Sequence, residues 1–187
     1  MNIRPALSTR QVSIIAVMTA ACVSTNYLLI GVVNVKFMDL LVFISGYAYG
    51  PVVGGTVGIL TWLVYGTINP YGFSLPILAT TCLGESLYGV VGGLLGGTGT
   101  DVEVGRGGLW FVSVRFAIIG FLLTFVYDLF TNIVSGLVVG IPIPIALGAG
   151  IPFALVHEFS NTAFFFVGMS SLVRVIRRLP SGGTNSR

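Results

Sequence analysis

A long apolar run from Leu109 to Val139 constrains the fold of this chain more than any other feature. A helix needs about 20 mainly apolar residues to cross a bilayer, and similar runs fill most of the remaining sequence. Only 8% of the 187 residues are charged and 55% are hydrophobic, whereas a soluble domain carries about 25% charged residues. The chain is therefore predicted to be an all-α integral membrane protein, with room for at most about six spans.

Turn signals and polar breaks divide the chain into six predicted spans within a single membrane domain, residues 1–187. Tyr49-Gly50-Pro51 indicates a tight turn, because proline restricts the preceding residue and cannot continue a helical hydrogen-bond ladder. The spans are expected at about 12–30, 37–48, 52–68, 74–95, 110–138 and 150–173, with a Gly-rich loop at 96–108. The second span is short for a crossing, so four full spans with a re-entrant pair are the alternative.

The basic residues predict the orientation of the bundle. If both termini are cytoplasmic, eight of the nine Lys and Arg residues lie on or near the inner side and only Lys36 lies outside, in agreement with the positive-inside rule. Loop 96–108 is then cytoplasmic, and the external turns lie at 31–36, 69–73 and 140–148. We expect a multi-pass protein of the plasma membrane. Because the charge pattern is a topology signal, no nucleic-acid partner is predicted.

Acidic residues inside the apolar runs indicate a binding cavity. Asp128 shares one helical face with Thr124 and Asn132, and an acid at this depth costs at least a few kcal/mol, so it usually serves a substrate, an ion or a proton. Glu85, Asp128 and Glu158 each lie about eight to ten residues from the outer end of a span, which is roughly 12–15 Å deep. The predicted substrate-binding residues lie at this level or in the external turns: Asn69, Tyr71, Glu85, Asp128, Asn132, His157, Glu158 and Asn161.

Structural roles for the same residues are the alternative. Glu85 can be a protonated acid that bonds Thr81 or a backbone carbonyl, and Asp128 can pair with His157 as a structural clamp. Asn69 can serve only its own turn. The agreement in depth between three acids on three spans favours a binding role over these separate explanations.

The charge of the predicted cavity suggests a class of ligand. With no lysine in the membrane, the cavity would hold acids, amides and one imidazole, which would repel a bare phosphate or several carboxylates. We therefore expect a small molecule rich in amine, amide or hydroxyl donors, held in part by aromatic side chains.

Catalytic motifs are incomplete in this sequence, so the chain is not expected to be an enzyme, and neither a metal nor a cofactor is predicted. His157-Glu158-Phe159-Ser160-Asn161 begins like HExxH, but Asn161 replaces the second metal ligand. Gly84–Tyr88 has a tyrosine where a nucleophile elbow needs its last glycine. A small intramembrane hydrolase that uses His157 and Glu158 is a minor alternative.

Three segments carry a resemblance to a known family. Ala16-Val17-Met18-Thr19-Ala20 forms an AxxxA motif on the first span, Gly50–Gly55 contains a Gly-Pro turn, and Tyr127–Asn132 carries an acid and an amide. Together with the size and the span count, these segments resemble the substrate-binding S component of an energy-coupling factor (ECF) vitamin transporter, over about residues 12–173.

The resemblance implies a bundle that binds a vitamin or related micronutrient from outside. It also implies that Ala16 and Ala20 dock on a transmembrane T component, and that two ABC-type ATPase subunits supply the energy. The sequence has no nucleotide-binding motif of its own, so ATP-driven uptake would need such partners. The main alternative is a secondary transporter in which Glu85, Asp128 and Glu158 relay protons or sodium ions.

Overall fold

The chain folds into a helical bundle. The computed structural model describes residues 7–70, 72–97 and 108–178, so Tyr71 and most of the loop predicted at 96–108 lie outside the described residues. Within these ranges the regular structure is all helical, which confirms the predicted all-α class. The six described helices are α1 Thr9–Leu28, α2 Met38–Tyr49, α3 Pro51–Ile68, α4 Leu75–Gly97, α5 Gly108–Val139 and α6 Ile143–Arg178.

Five of these helices are long and apolar enough to cross a membrane: α1, α3, α4, α5 and α6. Many of their large apolar side chains face outward, including Leu83, which is 67% exposed, and Phe159, which is 66% exposed. Helix α2 has only 12 residues, about 18 Å at the helical rise, against a hydrocarbon core of about 30 Å. The bundle therefore has the length and the apolar exterior of a membrane protein.

The turn between α5 and α6 is shorter than the predicted external turn at 140–148. Helix α6 already begins at Ile143, so only residues 140–142 separate the two helices. Pro144 does not delay the helix, because proline in the first turn lacks only an N–H that would have no intrahelical partner. The first turn of α6 packs directly on α5, where a Cβ on Gly136 would meet the Ala146 side chain at 2.5 Å.

Glycines bring α2, α3 and α4 into backbone contact. A Cβ on Gly89 of α4 would overlap the backbone of Gly54 on α3, and one on Gly46 of α2 would overlap the carbonyl of Gly89. Gly50 alone joins α2 to α3. Its φ of 96° is a backbone conformation that residues other than glycine rarely adopt. These three helices therefore form one tightly packed unit.

Aromatic side chains join this unit to α5 and α6. Phe43 packs against Phe165 with ring centroids 5.0 Å apart and against Phe116 at 5.9 Å. All three side chains are almost completely buried. The aromatic side chains leave this part of the bundle closely packed, and the cavity described below lies at the end that carries the α1–α2 and α3–α4 loops.

Candidate binding cavity

A cavity of about 780 Å³ lies at the end of the bundle that carries the α1–α2 and α3–α4 loops. This volume is within the range of pockets that bind small organic molecules. Apolar, aromatic and polar side chains share its wall, as in most ligand sites. The polar and aromatic residues that line it include Asn26, Asn34, Lys36, Trp62, Tyr65, Asn69, Thr81, Tyr127, Asp128, Thr131 and Asn132.

The structure brings three of the predicted ligand residues to this cavity, namely Asn69, Asp128 and Asn132. Tyr71 lies outside the described residues. The remaining four, Glu85, His157, Glu158 and Asn161, are buried and are not among the residues of the cavity wall. Two of these four, His157 and Asn161, belong to a polar network beneath the cavity.

His157 is the centre of this network, because a carboxyl group lies at each nitrogen of its ring. Nδ1 is 3.0 Å from Asp128 Oδ1, and Nε2 is 2.7 Å from Asp39 Oδ2. The clamp between Asp128 and His157 that the sequence left as an alternative is therefore present. Both contacts are hydrogen bonds only if the ring carries two N–H groups or one of the acids carries a proton. Among the described residues, no group of three or more His, Cys, Asp or Glu side chains could hold a metal ion.

Asn161 extends the network to α5. Its Nδ2 donates to Asp39 Oδ2 at 2.6 Å and to Thr124 Oγ1 at 2.8 Å. Thr124 in turn accepts from the Tyr88 hydroxyl at 2.9 Å and donates to the Gly120 carbonyl. Because each of these groups is buried, the network fixes the relative positions of α2, α4, α5 and α6 below the cavity.

Glu85 is joined to the cavity through Trp62. The indole Nε1 of Trp62 donates to Glu85 Oε2 at 3.2 Å, and the same indole is part of the cavity wall. Thr81, the partner that the sequence suggested for Glu85, instead donates to the Leu78 carbonyl at 3.0 Å. Glu158 is 7% exposed and belongs to neither the cavity wall nor the His157 network in the described part of the chain.

Lys36 adds a positive charge to the cavity that the charge argument from sequence did not include. Its Nζ lies 4.8 Å from the ring centroid of Tyr127 and 5.3 Å from that of Trp62. Both are cation–π distances. The sequence placed Lys36 in an external turn, and the α1–α2 loop carries it into the wall of the cavity.

Asp39 is the functional candidate that the sequence reasoning missed. It is 1% exposed, in the first turn of α2, and it contacts both His157 and Asn161. An acid near a helix N-terminus is ordinary because the helix dipole stabilises it, so its position gave little reason to select it. The available signal was that Asp39 lies in an apolar run, as Glu85 and Asp128 do.

One face of α1 is exposed in the described part of the bundle. Ser13, Ala16, Ala20 and Ser24 are all exposed along it, whereas Ile15, Thr19 and Cys22 face the core. Small side chains on an exposed helix face allow another helix to approach closely. The predicted docking residues Ala16 and Ala20 are thus on the surface.

Comparison with protein-family models, curated proteins and solved structures gives no match for this chain. The resemblance to ECF S components carried by the AxxxA motif and the Gly-Pro turn therefore has no support from these comparisons. The function proposed below rests on the cavity, the polar network and the α1 face.

Proposed function

We propose that this protein is the high-affinity substrate-binding S component of an ECF-type ABC importer for a vitamin or related micronutrient. It would lie in the plasma membrane with six spans and cytoplasmic termini, and separate T and ATPase subunits would energise it. The observation that carries the proposal is the ligand-sized cavity at one end of the bundle, above a packed core.

The position of the cavity supports uptake from outside. The loops that border it are those that the positive-inside rule places on the outer face. The opposite end of the bundle carries the α2–α3 turn at Gly50 and the first turn of α1 with Arg10. A ligand would enter from the external medium and stop at the Asp39, His157 and Asn161 layer, so a large rearrangement is needed to release it inward.

The charges of the wall refine the expected ligand. Asp128 can accept hydrogen bonds from amine, amide or hydroxyl donors, which agrees with the class expected from sequence. Lys36 can donate to a carbonyl or a carboxylate, so a ligand with both donor and acceptor groups suits the cavity better than one with donors alone. Trp62, Tyr65 and Tyr127 provide faces for a flat ring.

The exposed face of α1 supports the proposal that partner subunits supply the energy for transport. Its small residues provide a surface on which a transmembrane partner could pack closely. The proposed T component would use Ala16 and Ala20, and the two ATPase subunits would act through it. The cavity would then bind the substrate while the α1 face transmits the movement.

The direct test is to purify the full chain in mild detergent and identify any co-purifying small molecule by mass spectrometry. We expect that the protein alone binds this molecule and that the protein alone in liposomes does not accumulate it. Concentrative uptake should require ATP and the T and ATPase subunits. A chain that binds no small molecule in its cavity would contradict the proposal.

A proton-coupled secondary transporter is the second candidate, and the Asp39–His157–Asp128 contacts favour it. Ionisable groups inside a membrane bundle often form proton relays, and Asp128 links this relay to the cavity. This candidate predicts accumulation by the protein alone when liposomes carry a pH gradient. Uptake that needs no partner subunit would select it over the S component.

A further inference from the structure

Two buried acids, Asp39 of α2 and Glu85 of α4, lie close enough to act on each other. Their exposures are 1% and 0%. One oxygen of each, Asp39 Oδ1 and Glu85 Oε1, is buried without a hydrogen-bond donor. Two ionised carboxylates in this position would repel each other strongly, because little solvent screens them.

The other oxygen of each acid already accepts from a fixed donor. Asp39 Oδ2 lies 2.7 Å from His157 Nε2 and 2.6 Å from Asn161 Nδ2. Glu85 Oε2 accepts from Trp62 Nε1 at 3.2 Å. These bonds leave Asp39 Oδ1 and Glu85 Oε1 as the oxygens of the two carboxyl groups that have no hydrogen-bond partner.

We propose that Asp39 and Glu85 form a proton-binding site in which one proton is held between Asp39 Oδ1 and Glu85 Oε1. One acid then donates and the other accepts, so both unpaired oxygens gain a partner. The pair keeps a single negative charge instead of two. The site itself does not depend on the function proposed above.

The surroundings of the pair suit a single negative charge. Lys36 is the cation among the groups that act on it, and His157 is the group that can share a second proton with Asp39. Helix α3 contributes the Trp62 indole. The titratable and charged groups that act on the pair are Cys22 of α1, Lys36 of the α1–α2 loop, Cys82 and Tyr88 of α4, Tyr127 of α5 and His157 of α6 in the described part of the chain.

The proton site has two connections to the cavity wall. Trp62 bonds Glu85 and lines the cavity, and His157 joins Asp39 to Asp128, which also lines it. A charge brought into the cavity would therefore act on the proton site through groups in direct contact. This link to a ligand, unlike the proton site, rests on the proposed function.

Isosteric amide variants test the shared proton. In Asp39→Asn or Glu85→Gln, the new amide nitrogen can supply a permanent donor where the proton lay, and the amide oxygen can keep the bonds of the second carboxyl oxygen. Each single variant should therefore fold and melt close to the wild-type midpoint. In the double variant, two amide N–H groups face each other and neither finds an acceptor. The decrease in its melting midpoint should therefore exceed the sum of the decreases in the two single variants.

Infrared spectroscopy of the full chain in detergent detects the shared proton directly, through the C=O stretching band of a protonated carboxyl group. The component of this band that comes from the pair should disappear both in Asp39→Asn and in Glu85→Gln. That component should persist in Glu158→Gln, which changes an acid outside the pair.

Three results would overturn the proposal. The first is a carboxyl band unchanged in both single variants, and the second is an additive double variant. The third is a wild-type melting midpoint that is higher in sodium chloride than in potassium chloride, together with equal midpoints in the two salts for each single variant. This result would mean that the pair holds a metal cation.

Discussion

At the scale of the residue, Asp128 is the point where the cavity meets the polar network. One side of its carboxyl group is open to the cavity, and the group also lies 3.0 Å from His157 Nδ1. Because His157 contacts it, the carboxyl group is already held in place for the proposed ligand. Such preorganisation reduces the entropic cost of binding.

Removal of this carboxylate should weaken binding. We expect Asp128→Ala to raise the Kd of the co-purifying molecule more than tenfold, a loss of about 1.4 kcal/mol, when measured by isothermal titration calorimetry. Phe130→Ala is the matched control, because Phe130 lies on the same helix and is 57% exposed away from the cavity. An unchanged Kd for Asp128→Ala would exclude the carboxylate from the binding site.

The sequence predicted some residues of the site and not others for physical reasons. Asp128 and Asn132 share a helical face, and the period of a helix is readable from sequence. Lys36 lies in a loop whose path depends on tertiary packing, so no local pattern places it over Trp62 and Tyr127. The helix dipole alone accounts for an acid at the position of Asp39, so the sequence gave no reason to expect its contact with His157.

At the scale of the helix, glycines hold α2, α3 and α4 together, and one of them offers a stability test. We expect Gly89→Ala to destabilise the protein by about 1–3 kcal/mol or more, because the added Cβ overlaps the Gly54 backbone, which cannot move aside. Thermal unfolding in detergent measures the effect. Gly31→Ala is the control, since nothing lies within 4 Å of a Cβ there. Equal midpoints for the two variants would show that the helices separate at little cost.

Helix α1 allows the docking role to be separated from binding. Ala16→Trp or Ala20→Trp should abolish ATP-driven uptake in the assembled transporter, because a large side chain blocks close approach of a partner helix. The affinity for the co-purifying molecule should stay near normal, since neither residue lines the cavity. Leu83→Trp, on an exposed position of α4, is the control for a bulky lipid-facing residue. A large loss of affinity in the α1 variants would place this face in the binding site instead.

The helical class and the approximate positions of the described helices were readable from sequence, whereas the start of α6 was not. Apolar length alone indicates a membrane span, and every predicted span has a helix in the structure. The two prolines Pro142 and Pro144 suggested a long turn, yet proline is compatible with a first helical turn. The contact of α6 with Gly136 decides between a long turn and an early helix start, and this contact exists only in the folded bundle.

At the scale of the whole molecule, the proposed orientation can be tested with single cysteines. Val33→Cys in the α1–α2 loop should react with a membrane-impermeant thiol reagent in intact cells, and Thr9→Cys at the start of α1 should react only after permeabilisation. Both positions are exposed. The native Cys22 and Cys82 are 0% and 7% exposed, so background labelling should be low. Labelling of Thr9→Cys alone in intact cells would invert the proposed topology.

The short length of α2 explains how a chain of this size makes room for a cavity. Its 12 residues span about 18 Å, which leaves about 12 Å of a hydrocarbon core of about 30 Å without a sixth helix. The α1–α2 loop precedes α2 on this side, and its residues Leu29, Ile30 and Val32–Lys36 form part of the cavity wall. The cavity thus lies where α2 starts late, and two or three extra helical turns at the start of α2 would be enough to fill it.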